Sequence, residues 1–124
     1  MAVVYEVNLD LHPSIADEYI AWLQGHMGKM GEKIEGLQSI ELARRDATEG
    51  VAVPVDEDEQ ASGKLPPWVG LTVWYRIATK AALDDYIQNR SAEMRQEGIA
   101  KFGTTKYKAF RRIMDSLPAP QLGK

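Results

Sequence analysis

The residues able to do chemistry in this chain are few, and their types narrow the field at once. Cysteine is absent, and histidine occurs only at His12 and His26. That composition excludes disulfides, thiolate metal sites, iron–sulfur clusters and cysteine nucleophiles, and one chain cannot supply a three-histidine metal site. There is no phosphate-cradling glycine-rich loop and no dinucleotide fingerprint, so neither a cofactor nor a metal is expected. His26 is the candidate proton carrier, because an imidazole titrates at about 6.5. Its bland reading is a hydrogen-bonded helix histidine beside an interface. His12, next to Pro13, reads as a turn or capping residue.

A second group is polar and converges through strand alternation. Glu6 and Asn8 fall on one face of a first strand, and Thr72, Trp74 and Arg76 fall on one face of a third. Arg111 or Arg112 of a fourth strand joins them, depending on register. A carboxylate, an amide, an indole and a guanidinium beside an apolar cavity suit a small acidic or aromatic ligand. The competing reading makes them buried interface groups with Glu6 paired to an arginine, which by itself is weak evidence of function. The run Asp56-Glu57-Asp58-Glu59 lacks the alternating oxygens, central glycine and terminal glutamate of a calcium loop, and reads as a solvated hairpin tip.

The elements that must hold these groups follow from periodicity. Val3, Tyr5, Val7, Leu9 and Leu11 alternate with Glu6, Asn8 and Asp10, which predicts a half-buried strand over residues 3–11. From Pro13, Ala16, Tyr19, Ile20, Leu23, Met27, Met30 and Ile34 recur at helical spacing, flanked by a stripe of Ile15, Trp22 and His26. Gly25, Gly28 and Gly31 weaken that helix at about 1 kcal/mol each against alanine, which predicts an irregular end. Leu37 to Arg45 and Trp68 to Ile77 read as strands. Thr79 caps a helix carrying Ala82, Leu83, Tyr86 and Ile87, which Asn89-Arg90-Ser91 breaks or bends and which resumes to Gly103. Thr105 to Met114 closes as a strand. The order strand–helix–strand, twice over, predicts an α+β, ferredoxin-like βαββαβ domain over residues 1–116, with an antiparallel four-stranded sheet. The large apolar groups on both sheet faces predict a homodimer stacked into an α/β barrel.

The chain has 124 residues, 44% hydrophobic and 27% charged, with net charge −3. Residues 46–67 hold six acids against Lys64 alone, and read as a long acidic loop between the second and third strands. Residues 117–124, with Pro118 and Pro120, read as a loose tail. A basic excess over residues 76–114 is not accompanied by the basic–Gly–aromatic pattern of an RNA-recognition strand, so nucleic acid is not an expected partner. No apolar run approaches the roughly 18–20 residues of a membrane span, and the first residues lack a signal-peptide pattern, which makes a cytoplasmic protein off the membrane the expectation.

Several short motifs occur in order: Val4-Tyr5-Glu6-Val7-Asn8, Trp22-Leu23-x-x-His26-Met27-x-x-Met30, Leu83-x-x-Tyr86, Met94-Arg95-x-Glu97-Gly98-x-x-x-Phe102-Gly103 and Arg111-Arg112-Ile113. Through them the chain resembles a bacterial domain-of-unknown-function family with a ferredoxin-like, dimeric α/β-barrel fold. Two departures stand out: Arg90 occupies a position the family fills with histidine, and residues 46–67 are longer and more acidic than the usual hairpin. Leu71-Thr72-Val73-Trp74 followed by Ala82-Leu83-Asp84-Asp85-Tyr86-Ile87 is more distantly similar to the antibiotic-biosynthesis monooxygenase superfamily. Some members of that superfamily oxidise aromatic polyketides without a cofactor and others degrade haem. Asn8 resembles the first-strand asparagine of the haem-degrading branch, but no histidine follows His26, which argues against haem.

The expectation is a homodimer binding a small aromatic or acidic molecule beside the sheet through Glu6, Asn8, Thr72, Trp74, Arg76 and Arg111. The first alternative is a cofactor-independent monooxygenase-like or isomerase-like enzyme in which His26 moves a proton. The second is a structural or regulatory dimerisation module.

Overall fold

Alternation from Val3 to Leu11 gives β1 (Val3–Leu11), whose odd-numbered side chains enter the core. The computed structural model describes residues 2–45 and 68–119. After β1 come α1 (Ala16–Met27), the short α2 (Met30–Lys33), β2 (Leu37–Arg44), β3 (Val69–Ile77), α3 (Lys80–Asn89), α4 (Ser91–Phe102) and β4 (Tyr107–Asp115). The strands form one sheet in the order β2-β3-β1-β4, every neighbouring pair antiparallel. This is the ferredoxin-like α+β arrangement expected from the element order. The 46–67 segment, read as an acidic loop, and residues 120–124 of the tail lie outside the described residues.

Local chemistry explains the element ends. The Thr79 hydroxyl accepts the Ala82 N–H at 3.2 Å and starts α3. At Arg90 the helical path breaks, with φ −131, and the Ser91 hydroxyl donates to the Ile87 carbonyl at 2.7 Å. The expected interruption at Asn89-Arg90-Ser91 therefore splits the second helix into α3 and α4. Gly103 ends α4 at φ 74, a conformation that a side chain disfavours. The first helix also divides, at Gly28 and Lys29. An ideal Cβ at Gly25 or Gly31 would meet nothing within 4 Å, so those glycines admit no neighbouring backbone.

The core lies between the helices and the odd-numbered face of β1. Leu11, Ile77 and Leu83 are completely buried, with Val3, Ile34, Leu71 and Val73 nearly so. A buried Leu or Ile side chain contributes roughly 1.5–3 kcal/mol relative to exposure, so this layer dominates stability. The edge strand β4 is mostly exposed and leaves Phe110 and Ile113 partly in solvent.

Candidate functional site

Because successive β1 side chains point to opposite faces, this one strand contributes to two separate assemblies. On the face away from the helices, Glu6 lies opposite Trp74 of β3 and Arg112 of β4, and Asn8 lies opposite Thr72. The Glu6 carboxylate accepts from Asn8 Nδ2 at 3.0 Å, from Trp74 Nε1 at 3.0 Å and from Arg112 Nε at 2.6 Å. Asn8 Oδ1 in turn accepts from the Thr72 hydroxyl at 2.8 Å and from Arg45 at 3.1 Å. Arg45 also pairs with Asp10 and donates to the Leu9 carbonyl at 3.2 Å. It lies flat against Gly70, where a Cβ would come within 2.5 Å of its guanidinium. Glu6, Asn8 and Asp10 are each at most 6% exposed. Burial pushes the Glu6 carboxyl up, but the bonds from Asn8, Arg112 and Trp74 together outweigh it and hold the group below its ordinary 4.5.

On the helix face, a cavity of about 160 Å³ opens between α1, α4 and the sheet. Its walls include Tyr5 and Tyr75 from the strands, Tyr19, Trp22 and His26 from α1, and Tyr86 from α3. The rings support one another: Tyr5 meets Tyr86 edge-on with centroids 6.5 Å apart, Tyr19 meets Trp22 at 5.4 Å, and His26 stacks on Trp22 at 4.8 Å. Gly98 of α4 leaves room for the Trp22 indole, which lies 3.3 Å from where a Cβ would be. At the β4 side, Arg111 Nη1 donates to the Tyr5 hydroxyl at 2.8 Å.

The cavity holds groups in defined protonation states. Burial, with lesser contributions from neighbouring phenols, pushes the Tyr19 and Tyr75 hydroxyls well above their ordinary value. Tyr86 is raised to about 12, chiefly by burial, with Arg111 and Arg95 pulling the other way. Near neutral pH all three phenols are protonated and able to donate. His26 is 9% exposed, and its Nδ1 lies 3.4 Å from Glu97 Oε2. Burial lowers its pKa; Glu97 opposes that, and Lys29 and Lys33 add to it. The imidazole is therefore neutral near pH 7 and able to accept a proton.

The expected site residues thus separate. Glu6, Asn8, Thr72 and Trp74 come together, but in a mutually satisfied network on the face opposite the cavity. Arg76, whose guanidinium reaches the Ser116 hydroxyl at 2.6 Å, stands apart from the Glu6 bonds. The register pairs Arg112 with Glu6 and places Arg111 on the other face, at the cavity, so Arg111 does not join the polar group expected to hold it. His26 also reaches the cavity. His12 forms the turn: its Nδ1 accepts the Ser14 N–H at 3.1 Å. Arg90 donates to the Glu32 carbonyl at 3.4 Å at the α3–α4 break, away from the cavity wall. Sequence reasoning did not single out Arg95, Tyr19, Tyr75 and Tyr86 for a site, because tyrosines at helical and strand spacing look like core. Five tyrosines in a chain of this size are the signal that was available. Among the described residues no group of three or more His, Asp or Glu is placed to hold a metal, and no helix is long and apolar enough to cross a membrane.

A protein family described as "Domain of unknown function (DUF4286)" matches residues 2–117. No curated protein matches the sequence. Among solved structures, a dimeric ferredoxin-like protein from an uncultured marine organism superposes with TM-score 0.65 at 9% identity, covering 95% of this chain and 98% of its own. A protein of Deinococcus radiodurans, classed provisionally as an antibiotic biosynthesis monooxygenase, does so with TM-score 0.61 at 10% identity, covering 98% and 99%. SnoaB, a cofactor-independent oxygenase from Streptomyces nogalater, gives TM-score 0.57 at 6% identity, covering 95% of each chain. At such identities the likeness is one of fold.

Proposed function

The chain belongs to the DUF4286 family, and from that premise we propose that it binds a small organic molecule in the cavity between α1, α4 and the sheet. One observation carries this reading: a space of about 160 Å³ walled by tyrosine and tryptophan rings, beside a neutral, buried histidine. An apolar cavity of about 150 Å³ is enough to admit benzene, so the occupant is of one-ring size. The protonated Tyr75 and Tyr86 hydroxyls and the imidazole orient it. The polar network around Glu6 holds the sheet rather than the ligand, because the Glu6 and Asn8 side chains are already engaged by Trp74, Arg112, Thr72 and Arg45.

The test is titration with phenol, benzyl alcohol and indole, read by tryptophan fluorescence and by thermal shift. Binding should quench the signal of Trp22 and should be lost in a Gly98→Leu variant, which fills the space beside that indole. If none of the compounds raises the melting temperature at millimolar concentration, the reading is wrong.

A second, enzymatic reading is favoured by His26. A neutral imidazole at a cavity wall, partnered by Glu97, is arranged to take a proton from an acidic carbon or phenol of the occupant. The fold likeness to an oxygenase that works without a cofactor is compatible with that role. Oxygen uptake with electron-rich phenols that disappears in His26→Asn supports it, and uptake unchanged in that variant eliminates His26.

The protein is further proposed to be a homodimer. The support is its likeness to a dimeric ferredoxin-like protein and the Phe110 and Ile113 side chains, 51% and 44% exposed on the edge strand. Sedimentation giving a concentration-independent monomer overturns the dimer.

A further inference from the structure

Two arginines from different elements line the cavity, and among the described residues no carboxylate meets them. Arg95 of α4 and Arg111 of β4 both line it. Four other cations of the described residues have carboxylate partners: Lys33 with Glu93, Arg45 with Asp10, Lys80 with Asp84 and Arg112 with Glu6. Arg95 and Arg111 form no ion pair among the described residues. The hydrogen bond from Arg111 to the Tyr5 hydroxyl, at 2.8 Å, fixes the guanidinium at the wall while using one of its five N–H donors. Both guanidiniums also pull the Tyr86 hydroxyl down, against the upward push of burial.

We infer that the occupant is a one-ring aromatic anion whose carboxylate is received by Arg95 and Arg111, with its ring among Tyr5, Tyr75 and Tyr86. This rests on the reading of the cavity as a ligand site and adds the charge class of the ligand. The planar guanidinium fork matches a carboxylate in two parallel hydrogen bonds, which a neutral amide of the same shape cannot reproduce. The aromatic wall sets the remainder of the selectivity, so a carboxylate without a ring gains little. Glu97, held beside His26, disfavours the anion at that part of the wall and gives the ligand one orientation.

The experiment compares benzoate, benzamide and acetate by calorimetric titration and thermal shift on the intact chain, with Arg95→Gln and Arg111→Gln variants. Benzoate should bind at least 10-fold more tightly than benzamide and more tightly still than acetate. Each variant should weaken benzoate about 10-fold or more while leaving benzamide within 2-fold. Arg111→Lys, which keeps the charge but loses the fork, should recover only part of the affinity. Both arginines are exposed, so the variants should fold with unchanged circular dichroism. Equal binding of benzoate and benzamide overturns the anion assignment and leaves the cavity reading intact. Binding of neither, with phenol and indole also silent, overturns both. Benzoate binding that survives both substitutions overturns the role of the arginines.

Discussion

Replacing Glu6 by glutamine is the most demanding test of the buried network. The carboxylate accepts three donors, from Asn8, Trp74 and Arg112. A glutamine keeps one acceptor oxygen and turns an NH₂ toward whichever donor the lost oxygen served. One buried donor is then unsatisfied, at a cost of about 1–3 kcal/mol. The bond from Arg112 also loses its anionic acceptor, worth about 1 kcal/mol here because the arginine side chain is 66% exposed and partly screened. Together the loss is about 3 kcal/mol, which displaces a urea midpoint by about 2 M when m is about 1.5 kcal/mol/M. The pH dependence supplies an independent sign. Glu6 has a lowered pKa in the folded protein, so its stabilisation is fully present above the unfolded-state value and is lost as pH falls through the folded one. The gap between wild type and variant should stay level from pH 5 to pH 8 and narrow below about pH 4. Urea unfolding at pH 7 and pH 3 measures both. A gap under 1 kcal/mol at neutral pH, or one that does not narrow in acid, refutes the network as described.

Other outcomes follow from the same geometry. The His26 midpoint, measured by NMR, should lie below the ordinary 6.5, and Glu97→Gln should lower it further because Glu97 is the group that raises it. With a depressed folded pKa, His26 makes the protein lose stability as pH falls from 6.5 toward that midpoint; a His26→Phe variant should lack this slope in acid unfolding. Gly70→Ala forces Arg45 off Asp10 and should cost about 2 kcal/mol, with several degrees of melting temperature, yet cost much less in an Arg45→Met background. Equal losses in the two backgrounds would falsify the close packing of that guanidinium. Thr79→Ala removes the α3 cap and should cost about 1 kcal/mol by chemical denaturation.

How much of this was readable beforehand varies with the physics. β1 was legible residue by residue because period-two alternation is local. The Thr79 cap, the Asn89-Arg90-Ser91 break and Gly103 were legible because each is a local backbone requirement, met by a hydroxyl at Thr79 and Ser91 and by the lack of a side chain at Gly103. Arg111 and Arg112 were not separable, since pairing register is non-local and a shift of one residue exchanges the faces. The location of the cavity was hidden for a related reason. Polar side chains on a strand suggest a site, but Glu6, Asn8, Thr72, Trp74 and Arg112 bond one another across three strands, which only the pairings reveal. The tyrosines that wall the cavity carry the same hydrophobic signal as side chains that fill a core. Whether rings meet or leave room between them depends on helix placement, and Gly98 opposite Trp22 has no periodicity to announce it.

The β1 backbone has a practical consequence for protein engineering. Tyr5, Val7 and Leu9 line the cavity and Glu6, Asn8 and Asp10 belong to the polar network, with the sheet between them. A library that varies Tyr5, Val7, Tyr75 and the cavity-facing residues of α1 and α4 can reshape the pocket without touching any bond of Glu6, Asn8 or Asp10. The network then acts as a chassis, and each newly selected pocket would inherit its stability. Adjacent codons of one strand can in this way be assigned to binding and to folding separately.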